Sequence, residues 1–141
     1  MLNKTKLVEE LILKNLKELG ITNKDILDEA VRLGPVFMDK DYEKLYRFMT
    51  MDQFILAHKF YLTIKEEDFD RYFVGLEKVV GKPKIDSIHN KDEMNAWDRE
   101  LVETPEYYEI VDYCKDNNIN TEINTGLCYY VTCIIEAACY E

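Results

Sequence analysis

Two histidines, four cysteines and a single serine are the side chains of this 141-residue chain best suited to nucleophilic, acid–base or metal chemistry. Their surroundings argue against each in turn. His58 stands in "MDQFILAHKFYLTI", where Met51, Phe54, Ile55 and Leu62 recur at helical spacing with it. A histidine on such an apolar face is expected to be a hydrogen-bonded core residue, not a proton shuttle. His89 lies in the polar stretch "DSIHNKD" and forms D-x-x-H with Asp86. Two ligands do not specify a metal. Ser87 has no G-x-S-x-G context, so nothing presents it as a nucleophile.

Cys114, Cys128, Cys133 and Cys139 are spaced without a C-x-x-C pair. On a helix, Cys128 and Cys133 project about 140° apart, and Cys128 and Cys139 share a face about 16 Å apart. Neither arrangement chelates one ion. The expectation is four free thiols, no metal and no cofactor. "VGLEKVVGKP" has two glycines six apart but lacks the lysine-serine or lysine-threonine ending of a phosphate-binding loop. Carboxylates are so plentiful that no pair of them marks an acid–base site. The chain reads as non-enzymatic.

The carboxylates carry a different signal. Residues 1–84 hold 15 Lys/Arg and 15 Asp/Glu, whereas residues 85–141 hold 3 Lys/Arg and 13 Asp/Glu. The net charge of −10 therefore falls in the second part. In "DRELVETPEYYEIVDYCKD", residues 98–116, seven residues are acidic and two are basic. Thr104-Pro105 is a helix start signal, with proline at the first helical position and Glu106 in the first turn. On that helix Glu106, Glu109, Asp112 and Asp116 fall on one face, and Tyr107, Ile110, Val111 and Cys114 turn elsewhere. In a preceding helix Glu93, Glu100 and Glu103 share a face, and Trp97 and Leu101 form an apolar i, i+4 pair. Two neighbouring helices would then display one acidic surface, with Tyr108 available as an anchor. Without basic neighbours such carboxylates repel one another and give the isolated fold nothing.

The elements that position these groups read as helices. Residues 3–19 are amphipathic, with Leu7, Val8, Leu11, Ile12, Leu16 and Leu19 as a broad apolar stripe, and Gly20 as the stop. Thr22 or Asn23 caps a helix over 24–33, ended by "LGPV". Further helices are expected over 41–49, after Thr50, over 68–81, from Asn90 or Asp92 to about Val102, from Pro105 to about Lys115, and after Thr125. The helix after Thr50 is the expected centre of the core. Three prolines and five glycines leave few breaks. The fold class is mainly α, a single-domain bundle of seven or eight helices spanning 1–141. An α+β variant with a small sheet from 59–64 and 127–135 is the alternative, because β-branched and aromatic residues gather there.

No apolar run approaches the roughly 20 residues that span a bilayer. Charges interrupt the apolar stretch of the N-terminus, which argues against a signal peptide and for a cytoplasmic location. The composition, small, acidic and rich in Lys, Asn, Ile and Tyr, resembles that of phage inhibitors of host defence and of toxin-immunity proteins. That likeness assigns no residue a role. The expected function is protein–protein interaction: an inhibitor whose acidic surface docks on a basic protein. A nucleic-acid-handling enzyme whose groove accepts a nucleic-acid mimic is its most concrete form. Direct nucleic-acid binding is not expected, since no basic stripe exists. A structural domain forming homo-oligomers is the alternative reading, and an enzyme of unknown class comes third.

Overall fold

The computed structural model describes residues 4–38, 50–80, 103–123 and 125–139. They form α1 (Lys4–Glu18), α2 (Lys24–Met38), α3 (Met51–Tyr61), a 3-10 turn at Glu66–Asp68, α4 (Phe69–Val80), α5 (Pro105–Asp116) and α6 (Thr125–Cys139). The mainly α class holds, and no strand occurs among the described residues. Six α-helices stand there against the seven or eight expected. The helices expected over 41–49 and from residue 90 or 92 to about 102 lie outside the described residues.

Local chemistry sets most of the boundaries. Gly20 adopts φ +88°, and its N–H donates to Lys17 O while that of Ile21 donates to Leu16 O at 3.0 Å. This pair of bonds closes α1 as a Schellman motif, with buried Ile21 against buried Leu16. α5 ends the same way without glycine. Asn118 takes φ 55°, and the Ile119 N–H donates to Cys114 O at 2.8 Å. Asn23 caps α2 through the N–H groups of Asp25 and Ile26. Thr50 and Gln53 form a reciprocal capping box at α3. The same Gln53 amide donates to Glu122 O at 3.0 Å and ties α3 to the segment before α6.

Two expectations change, and the helix expected after Thr125 holds against its strand alternative. α2 does not stop at "LGPV" but continues through Pro35 to Met38. Its packing against α1 and α6 outweighs the one backbone bond that proline removes. Segment 127–135 is helix, not strand, and the segment from Lys59 leaves α3 for turns after Tyr61. The central element is α6, not α3, since it packs against α2, α3 and α4. Leu127, Cys128, Tyr130, Val131, Ile134 and Ile135 are all buried on it. A helix apolar around most of its circumference belongs in the middle of a core, whatever its β propensity. One core cluster draws on all six helices, from Ile12 to Ile135. The apolar stripe of α1 is narrower than its sequence suggests. Ile12 and Leu16 are buried, whereas Leu7 and Leu11 are each 46 % exposed.

Candidate functional site

α5 carries the described part of the acidic surface, and its neighbour is α4. The two run antiparallel, since Arg71 and Tyr72 meet Glu109 while Gly75 meets Glu106. Ile110 and Cys114 are buried and set the inward side of α5. Their neighbours on the wheel decide what each carboxylate does.

Glu106 does not join a solvated face. It is 9 % exposed, and its carboxyl group fills the space that a side chain at Gly75 would need. Its place in the first turn of α5 suits a carboxylate, because the unpaired N–H groups there carry partial positive charge. Glu109 is not without a basic neighbour. The Arg71 guanidinium donates to it twice, at 2.7 and 3.3 Å, and the Tyr72 hydroxyl donates to it at 3.1 Å. Arg71 also lies 4.4 Å above the Tyr72 ring. The hydrogen bond to Glu109 holds the Arg71 guanidinium above its ordinary pKa, helped by Tyr72. Burial pushes the Tyr72 phenol upward as well.

The remaining positions divide. Glu103, Asp112 and Asp116 are exposed. Tyr108 is 51 % exposed and sits one turn before Asp112, with the Tyr107 ring edge-on at 5.2 Å. Glu93 and Glu100 lie outside the described residues, as does Trp97. A charge source missed by summing halves of the chain appears beside α5. The antiparallel course carries Asp68, in the turn that precedes α4, toward the carboxylates of α5. Arg71 stands between the two groups, 3.9 Å from Asp68 and 2.7 Å from Glu109. The surface is thus built from both parts of the chain.

Because Glu109 is paired, it cannot be treated as a free surface charge. Glu109→Lys should lower stability by up to about 1 kcal/mol, since both partners are well exposed and solvent screens the pair. Asp112→Lys should leave stability within about ±0.5 kcal/mol. Urea unfolding of the two single variants separates these outcomes.

His58 is a core residue. Its Nδ1 lies 2.8 Å from Phe54 O and its Nε2 lies 3.2 Å from the Tyr130 hydroxyl. The first contact makes Nδ1–H the donor, so Nε2 accepts from Tyr130. Burial lowers its pKa to about 4, with the bond to Phe54 O opposing. Both ring nitrogens are occupied inside the protein, leaving none to serve a substrate. No disulfide joins any of the four cysteines, and Cys114 and Cys128 are buried. Among the described residues no group of three His, Cys, Asp or Glu side chains is arranged to hold a metal. No helix among them is long and apolar enough to cross a membrane.

Comparison of the chain with protein-family models, with curated proteins and with solved structures finds no match.

Proposed function

We propose that this chain is a non-enzymatic interaction protein that docks on a basic protein partner through the acidic surface around α5. Its most concrete form is an inhibitor of a nucleic-acid-handling enzyme, occupying a groove built for a polyanion. The observation that carries this reading is uncompensated charge in an unfavourable place. Asp112 and Asp116 are an i, i+4 like-charged pair, and they sit in the closing turns of a helix. Both the pairing and the helix dipole disfavour them there. No cation pairs with either among the described residues. Charges that oppose their own helix gain a rationale if a partner supplies the opposite charge. Tyr108, exposed beside Asp112, offers an aromatic anchor within the surface.

The test is charge reversal away from the paired Glu109. Asp112→Lys with Asp116→Lys should fold normally and gain a few tenths of a kcal/mol at most. Its capture of a basic partner should drop by about tenfold or more at low salt, where screening is weakest. Lys14→Glu with Lys17→Glu on the exposed side of α1 should change capture little. Equal capture by both double variants leaves the acidic surface as solvation alone. Self-association is a second reading, favoured by the exposed pair Leu7 and Leu11 on α1. Assembly through those leucines should persist as salt is added, unlike electrostatic docking.

A further inference from the structure

α2 and α6 pack side by side but leave a groove of about 410 Å³ between them. Its α2 wall is Glu29, Arg32 and Leu33, at i, i+3 and i+4. Its α6 wall is Tyr129, Cys133, Glu136 and Ala137, at i, i+4, i+7 and i+8. The groove exists because Cys133 and Ala137 are small where a larger residue would fill it. Its volume lies in the range typical of small-ligand sites.

The charges in this groove do not balance. Arg32 is committed to Glu29 on its own helix, through Nη2 and through Nε at 3.4 Å. Glu136 faces the same space from α6, exposed, and no cation pairs with it among the described residues. Cys133 does not add a thiolate. Burial first, then Glu29 and Glu136, push its thiol up to about 12. Burial also raises the Tyr129 phenol. Two carboxylates and one guanidinium therefore surround a space with apolar patches from Leu33 and Ala137 and an aromatic ring from Tyr129. An anion would meet Glu136 and find Arg32 already engaged. A cation with a short apolar tail would find a free carboxylate, an aromatic ring and apolar walls.

We propose that the α2–α6 groove binds a small alkylguanidinium or alkylammonium cation, with Glu136 as its counter-ion and Leu33, Tyr129 and Ala137 around its alkyl part. This site is separate from the α5 surface and does not depend on the docking reading.

The probe is n-butylguanidinium, titrated at low ionic strength into the isotope-labelled protein and followed by amide NMR. Saturable shifts are expected at Tyr129, Cys133 and Ala137, with none from sodium butyrate or n-butanol at equal concentration. Glu136→Gln should weaken binding about three- to fivefold, the upper part of the range of an exposed ion pair. Arg32→Gln should tighten it by a similar factor, because Glu29 then loses its resident cation. Ala137→Leu should occlude the groove and abolish the shifts, with far-UV circular dichroism checking that each variant folds. Binding that is absent, that Glu136→Gln leaves unchanged, or that butyrate matches would overturn the proposal.

Discussion

Lowering the pH from 7.5 to 4.5 should cost the protein roughly 2–3 kcal/mol of stability through His58 alone. The folded imidazole has a pKa near 4, whereas the unfolded one titrates near 6.5. Between these values the unfolded chain binds a proton that the folded chain refuses. Stability is therefore complete above about pH 6.5 and falls progressively toward pH 4. The cause is burial: His58 is fully enclosed, and protonation would place a charge among the rings of Phe54 and Tyr130, 4.8 and 5.0 Å away. His58→Gln removes the titrating group and retains polar atoms that can reach Tyr130. Urea unfolding at the two pH values should show the variant losing roughly 2–3 kcal/mol less than the parent. All other groups are the same in the two proteins, so the difference isolates His58. Equal losses would mean that His58 is not held neutral by the core.

That role for His58 was readable from the sequence, because an imidazole on an apolar helical face has few other fates. Several helix boundaries were readable for a similar reason, though not the end of α2. Gly20, Asn23, Thr50 and Thr104-Pro105 act within their own turn, so their effect does not wait on the rest of the fold. The end of α5 was legible less directly, since Asn118 does the work that glycine does after α1. α6 could not be settled locally. Its Tyr, Val, Thr and Ile residues suit a strand, and only burial against α2, α3 and α4 makes helix the better solution.

The acidic surface marks the limit of a helical wheel. The wheel correctly places Ile110 and Cys114 inward, but it does not say what lies across from Glu106 and Glu109. Those answers are Gly75 and Arg71, the latter 38 residues earlier in the chain. A glycine inside the amphipathic pattern of α4 was the available hint, because it marks a close approach by something. Summing charge by sequence halves hid the second contributor, since Asp68 belongs to the half whose total is zero. Asp112, Asp116 and Glu103 are exposed, and no ion pair reaches them among the described residues.

Phe54→Ala should be among the most damaging single changes, at about 3–5 kcal/mol. The ring is fully buried, lies 4.6 Å from that of Tyr130 and stands at the junction of α3 with α6. Truncation removes apolar area and leaves a cavity that helices on both sides cannot easily close. Val74→Ala, at a position 54 % exposed, should stay within about ±0.5 kcal/mol. The Phe54 variant also probes the histidine beside it. The backbone bond from Nδ1–H to residue 54 survives the substitution, whereas the shielding of the imidazole from water does not. The His58 pKa should therefore rise from about 4 toward its ordinary value as water enters the cavity. Two consequences then move together in Phe54→Ala: lower stability at neutral pH and a smaller further loss on acidification. An NMR titration of the His58 ring, under conditions where the variant is still folded, measures the second directly. A variant that is destabilised yet keeps the imidazole near 4 would assign the shielding to Tyr130 and the surrounding aliphatic residues instead of Phe54.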